Sequence, residues 1–190
     1  MTSPLDARPI VVALAGPNGA GKTTFYGAHL ARAGLRFVNA DDLARELRLG
    51  PYDAAEAAKQ AREALVEQRE SFVFETVFSD PVGDKLEFLR AAPRRGYTVV
   101  LCFVGLDSPE VSDERVAMRV LQGGHDVPRE KLLARYPRTM ENLRRAIHEL
   151  PHVLVYDNGD LRRPFRKVAV FEAGKAVELN RPLPRWVPRG

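Results

Sequence analysis

Gly16-Pro17-Asn18-Gly19-Ala20-Gly21-Lys22-Thr23 is the stretch on which the reading of this chain turns. A glycine, four residues and then Gly-Lys-Thr is the phosphate-loop pattern. Directly before it, Ile10-Val11-Val12-Ala13-Leu14-Ala15 is an unbroken apolar run suited to a strand buried on both faces. After it, residues 23–33 read as a helix that Gly34 ends. Strand, glycine loop and helix are the context that gives the motif its chemistry. The glycines let backbone N–H groups turn inward with no side chain in the way, and the helix N-terminus adds its partial positive charge at the same point. Lys22 can reach the β- and γ-phosphates, and the Thr23 hydroxyl can hold Mg²⁺. The sequence therefore predicts a site for ATP and Mg²⁺, cradled by Gly16, Pro17, Asn18, Gly19, Ala20, Gly21, Lys22 and Thr23 and continued by Thr24.

The rest of the chain fits a domain built around that loop. At 190 residues it suits one domain, 1–190, with a substantial core. Hydrophobic residues make up 45% and charged residues 28%, an ordinary globular balance. The net charge of +4 suits phosphorylated ligands and is too small to argue for nucleic acid. Most of the basic residues are arginine, which favours bidentate phosphate contacts. The single cysteine, Cys102, lies inside Val99-Val100-Leu101-Cys102-Phe103-Val104, so a buried strand thiol is expected, with no disulfide framework and no metal cluster. No signal peptide opens the chain and no apolar run approaches membrane-spanning length, so a cytoplasmic protein with no membrane partner is expected.

Working outward from the loop, residues 35–39 read as a second strand, followed by a short helix over 43–49 that Gly50-Pro51 stops. Asp53 is placed to cap a helix over 54–70 whose polar face reads as solvated. Further strands are expected over 71–74, 97–104 and 152–156, and helices over 82–92 and 108–121, the last capped by Ser108. Pro137 should kink or divide the helix over 128–150. Residues 168–171 and 176–179 read as a terminal hairpin turned at Ala173-Gly174, and 1–9 and 181–190 as loose ends. Apolar strands alternating with helices give the fold class: an α/β P-loop NTPase, a mainly parallel sheet with helices on both faces, a helical lid and a C-terminal β-hairpin.

Ligands in such folds bind beyond the carboxyl ends of the strands. Asp41, Asp42, Glu75, Thr76, Asp107 and Asp157 all follow strands. A carboxylate after the second strand could take the proton of an acceptor hydroxyl while the phosphate loop holds the donor, and Asp41 is the favoured base. Glu75, directly after Phe72-Val73-Phe74, is a candidate for substrate or a metal-bound water. An arginine-rich segment, with Arg115, Arg119, Arg129, Arg135 and Arg138 around Gly123-Gly124-His125-Asp126-Val127-Pro128, suggests a hinged lid whose arginines neutralise the transferred phosphoryl group. His125 is a candidate phosphate or hydrogen-bond contact. Asn158, in Asp157-Asn158-Gly159, is a candidate for the nucleotide base, although Asn-Gly is also strong turn chemistry.

The ordered set Gly-Pro-Asn-Gly-Ala-Gly-Lys-Thr-Thr, Phe-Val-Asn-Ala-Asp, Phe-Val-Phe-Glu-Thr, Gly-Gly-His-Asp-Val-Pro and Tyr-Asp-Asn resembles the zeta-toxin family over about residues 10–158. The nearest likeness is to its bacterial branch of predicted ATPases. That resemblance implies a kinase acting on the sugar 3′-hydroxyl of UDP-N-acetylglucosamine. It also implies Asp41 as general base and Glu75 on the substrate side, where Thr76 and His125 are further candidates from their positions in the sequence. The phosphate-neutralising arginine falls on Arg115 or Arg119, and the family's second lid arginine meets His125. Any neutralising antitoxin would be a separate protein. Two rival readings stand beside it: a P-loop kinase for a nucleoside, metabolite or polynucleotide end, and an ATP-dependent switch that acts on a protein partner. The Asp41–Glu75 pair speaks against the switch, which needs no acceptor base. The lack of a basic, aromatic-interleaved run speaks against single-stranded nucleic acid.

Overall fold

An apolar run with no polar side chain folds stably only where both faces are covered, and β1 (Ile10–Ala15) is buried along its whole length. The computed structural model describes residues 3–121, 123 and 126–188. Six further strands follow: β2 (Arg36–Val38), β3 (Phe72–Thr76), β4 (Thr98–Gly105), β5 (His152–Asp157), β6 (Arg166–Glu172) and β7 (Lys175–Leu179). All seven lie in one sheet in the order β2-β3-β1-β4-β5-β6-β7. β1 is paired in parallel with β3 on one side and β4 on the other. β2 and β5 extend the parallel sheet outward, and the β6–β7 hairpin closes it with two antiparallel strands. The chain leaves β1 toward β2 and later crosses to β4 on the other side. The reversal places a crevice at the carboxyl end of β1, where the phosphate loop begins.

Alternation along the strands feeds two cores. Val11, Ala13, Phe72, Phe74, Leu101 and Phe103 face α3 (Pro51–Glu67), α4 (Asp84–Ala91) and α6 (Arg129–Glu149), through side chains such as Leu65, Leu89 and Leu143. Ile10, Val12, Leu14, Val100, Cys102 and Val104 face Phe25 and Leu30 of the segment after the phosphate loop. Cys102 is fully buried, as expected, and burial pushes its thiol up to about 12.

Several boundaries differ from the sequence expectation. The helix after the loop is only one regular turn, α1 (Lys22–Phe25). It then widens to a π turn over Tyr26–Leu30 and tightens to a 3-10 turn over Ala31–Ala33, before Gly34 reverses the chain. Gly27, a weak helix former, sits in the widened turn. α2 runs over Ala40–Leu47, capped by Asn39 rather than by either following aspartate. Gly50-Pro51 does not stop a helix but starts α3, with Pro51 at the first position where its missing N–H costs nothing. Asp53 therefore lies in the first turn and is not the cap.

The polar face of α3 is not wholly solvated. Arg62 is only 8% exposed, its guanidinium 5.0 Å from the Phe74 ring centre and 5.6 Å from that of Phe88. Pro137 does not divide α6, which runs unbroken with the proline on its exposed side, where water can take the carbonyl that the ring leaves free. Residues 181–188 are packed rather than loose. Val187 is buried, and the Trp186 ring lies on the backbone of Gly105 and beside Phe103. α5 spans Pro109–Leu121, with the Ser108 hydroxyl accepting from Val111 N at 3.4 Å as an N-cap should.

Candidate active site at the carboxyl edge of the sheet

β1 delivers the chain to the edge of the sheet, and Gly16 turns it. Gly16 has φ +147°, and a Cβ there would stand 2.0 Å from the Val104 carbonyl oxygen, so only glycine can pass β4 this closely. The loop then curls back on itself, with Ala20 N donating to Pro17 O at 3.2 Å. Lys22 emerges inside the curl, only 7% exposed. Its ammonium donates to Gly16 O at 3.0 Å and to Pro17 O at 3.1 Å, and Glu75 Oε1 lies 3.9 Å away. Burial holds the Lys22 ammonium below its ordinary pKa. The Glu75 and Asp41 carboxylates raise it, and the Arg119 guanidinium lowers it further. Lys22 and Glu75 thus meet at the mouth of the loop, within reach of the charges of Asp41 and Arg119.

Glu75 is the hub. Its Oε2 accepts from the Thr23 hydroxyl at 3.0 Å and from the Asn39 amide at 3.1 Å. The Asn39 side-chain oxygen in turn accepts from Asp41 N at 2.8 Å, which caps α2 and sets where Asp41 stands. Asn39 is a site residue that sequence reasoning missed. Its signal was present, since Asn directly before a helix is strong capping chemistry. The two aspartates have separate fates. Asp42 is half-buried and ion-paired with Arg45, whereas Asp41 is exposed and, among the described residues, forms no ion pair of its own.

The other candidates are distributed around this cluster. The Thr76 hydroxyl accepts from Phe78 N at 2.9 Å and so bends the chain after β3. Thr24 is exposed on α1. Arg115 donates to Asn158 O at 2.6 Å and to Gly159 O at 3.2 Å. Asn158 is buried, and its amide donates to Ala20 O at 2.9 Å. Both therefore brace the loop from outside. His125 and Gly124 lie outside the described residues; Gly123 is exposed between α5 and α6.

Thr23 and Glu75 present a hydroxyl and a carboxylate oxygen 3.0 Å apart, the hard oxygen donors that Mg²⁺ takes together with phosphate oxygens and water. Among the described residues no group of three or more His, Cys, Asp or Glu is suited to a metal ion. A cation held mainly by nucleotide phosphates needs no such group. No described helix is long and apolar enough to cross a membrane.

A phosphate loop after the first strand of a β2-β3-β1-β4-β5 parallel sheet, with Lys22, Thr23 and a strand-end carboxylate gathered at its mouth, defines a P-loop NTPase of the kinase-like type. The sequence model of the zeta toxin family matches residues 48–167, which hold Glu75, Arg115, Arg119 and Asn158. The chain belongs to that family. Among solved structures it is similar to a chain of the AvrRxo1-ORF1:AvrRxo1-ORF2 complex with sulphate ions, at TM-score 0.68 and 19% identity over 93% of this chain and 62% of that one. The AvrRxo1 complex with ATP gives TM-score 0.65 and 20% identity over 90% of this chain and 60% of that one. The PezAT chromosomal toxin-antitoxin system of Streptococcus pneumoniae gives 0.58 and 18% over 80% and 69%. The chain thus spans about three fifths of the length of the first two, at 62% and 60%. No curated protein sequence matches it.

Proposed function

We propose that this protein is a kinase that transfers the γ-phosphate of ATP to a hydroxyl of a small acceptor. The observation that carries the reading is the pairing of Lys22 with Glu75 at the mouth of the phosphate loop, with Asn39 linking Glu75 to the start of α2, where Asp41 stands exposed. A carboxylate that helps hold Mg²⁺, as Glu75 would, serves any P-loop NTPase, whereas a second, exposed carboxylate such as Asp41 is needed only where a hydroxyl proton must be taken. In this scheme Lys22 turns from the Gly16 and Pro17 carbonyls to the phosphates. Thr23 and Glu75 would hold Mg²⁺, whose positive charge would offset that of the phosphate oxygens. Asp41 takes the acceptor proton, and Arg119 stabilises the transferring group from α5. The hinge around Gly123 would let α5 and α6 close over the nucleotide.

The leading acceptor is a UDP-sugar such as UDP-N-acetylglucosamine, supported by membership of the zeta toxin family. A separate antitoxin partner belongs to the same proposal, since PezAT is described as a toxin-antitoxin system. The test is mass spectrometry of a metabolite extract incubated with ATP, Mg²⁺ and the protein. A gain of one phosphate on a UDP-sugar is the expected result. A phosphorylated product of another class would keep the kinase and replace the acceptor. ATP binding with no phosphorylated product would overturn the kinase in favour of a nucleotide-controlled switch.

A further inference from the structure

A loop that grips phosphate must aim its N–H groups inward, which sends its carbonyls outward, where something must receive them. Two of those carbonyls are received by side chains from distant elements. The Ser112 hydroxyl, buried on α5, donates to Asn18 O at 2.6 Å, and the Asn158 amide, buried beyond β5, donates to Ala20 O at 2.9 Å. Arg115 joins the two holders by donating to Asn158 O at 2.6 Å from the turn of α5 that follows Ser112. α5 also presses directly on the loop, because a Cβ on Gly19 would stand 2.9 Å from Ser112 O and 3.1 Å from Arg115 Cβ. Asn158 is fixed in turn, its backbone N donating to Gly105 O at 3.1 Å and its side-chain oxygen accepting from Phe165 N at 3.4 Å.

We propose that Ser112 and Asn158, linked by Arg115, are positioning residues that hold the phosphate loop in its gripping conformation and so set nucleotide affinity from outside the site. Ser112, Arg115 and Arg119 recur at the three- and four-residue spacing of one helix face. The helix that presents Arg119 is therefore the helix fastened to the loop. Ser112 never touches the nucleotide; it acts through Asn18 O. This inference rests on the nucleotide site proposed above.

The test titrates the full chain with a fluorescent ATP analogue and Mg²⁺, for the wild type and for Ser112→Ala, Ser112→Thr, Ser112→Cys and Asn158→Ala, each checked for a cooperative thermal transition. Ser112→Ala removes one hydrogen bond to a buried carbonyl, and its Kd should rise about tenfold. Ser112→Thr keeps the hydroxyl and should return the Kd to within about twofold of the wild type. Asn158→Ala should weaken binding at least as much as Ser112→Ala. Turnover at saturating nucleotide should change less than Kd, a split that general destabilisation does not produce. Wild-type affinity in folded Ser112→Ala, with tight binding by the wild type, overturns the inference and spares the nucleotide site. Should Ser112→Ala fail to fold, Ser112→Cys carries the test, and wild-type affinity there overturns the inference equally. No binding by the wild type overturns both readings.

Discussion

At the scale of single residues, the neighbouring aspartates are the sharpest contrast. Asp41 and Asp42 are chemically identical and adjacent, yet one acts on Lys22 and the other is paired with Arg45. The proposed mechanism gives them unequal weight. Asp41→Asn keeps size and most hydrogen bonding but cannot accept a proton, so acceptor phosphorylation should fall by about 10²–10⁴. ATP affinity should barely move, because the loop supplies the phosphate contacts. Asp42→Asn should cost little, since an exposed pair one turn apart contributes well under about 1 kcal/mol. Steady-state turnover and nucleotide titration of both variants check this; full activity in both would remove the general base from the scheme. Capping cannot explain a loss in Asp41→Asn, because Asn39 is the cap. The phosphate loop and both strand-end carboxylates were legible in the sequence, because spacing and strand position define them. Asn39 was legible only as a helix cap, not as a partner of Glu75, and Ser112 not at all, since those partners lie 36 and 94 residues away along the chain. Short polar residues carry no pattern that announces a distant partner.

At the scale of elements, what the sequence conveyed followed burial. β1, β3, β4 and β5 are covered on both faces, so their apolar runs are continuous and were found almost to the residue. The helix after the loop was expected to be regular, and its widening at Tyr26–Leu30 had no signature in apolar spacing. α6 shows the opposite case: of the kink or division expected at Pro137, the division does not occur. Buried Leu132, Thr139, Met140, Asn142 and Leu143 straddle Pro137, and the Thr139 and Asn142 side chains donate to Val77 O and Phe78 O. Tertiary anchoring on both sides outweighs the lost internal hydrogen bond. The strain should nevertheless be recoverable: Pro137→Ala on this exposed face should raise stability by about 1–3 kcal/mol. Chemical denaturation with an unchanged m-value would show it. A loss of stability would mean that the ring itself packs usefully.

At the scale of the whole molecule, the core contains groups that resist losing protons. Burial pushes the Cys102 thiol and the Tyr136 hydroxyl each up to about 12, and raises Tyr156 as well. Each keeps its proton longer when folded, so above the ordinary values of 9.0 and 10.0 the unfolded chain binds fewer protons and stability falls as pH rises. Lys22 works the other way, since its lowered pKa removes a penalty as pH approaches the ordinary value of 10.5, beyond which it contributes no further change. The melting temperature should therefore drop steadily above about pH 10.5. Thermal scans from pH 8 to 12 check this, with Cys102→Ala expected to flatten the alkaline limb. Native Cys102 should also be inert to thiol reagents at neutral pH, because its thiolate is suppressed and its sulfur buried.

The packed tail has an optical consequence. Trp186 is the protein's single tryptophan, and its indole lies against Gly105 and Phe103 with the ring nitrogen buried and without a hydrogen-bond partner among the described residues. An indole in such apolar surroundings emits at shorter wavelength than one in water. All tryptophan fluorescence thus originates from one place, the seam between the tail and the end of β4. Gly105, on which the ring rests, is the residue whose carbonyl holds the backbone of Asn158. A red shift that precedes the loss of helical circular dichroism would show the tail peeling away first, and coincident transitions would show tail and sheet melting as one body.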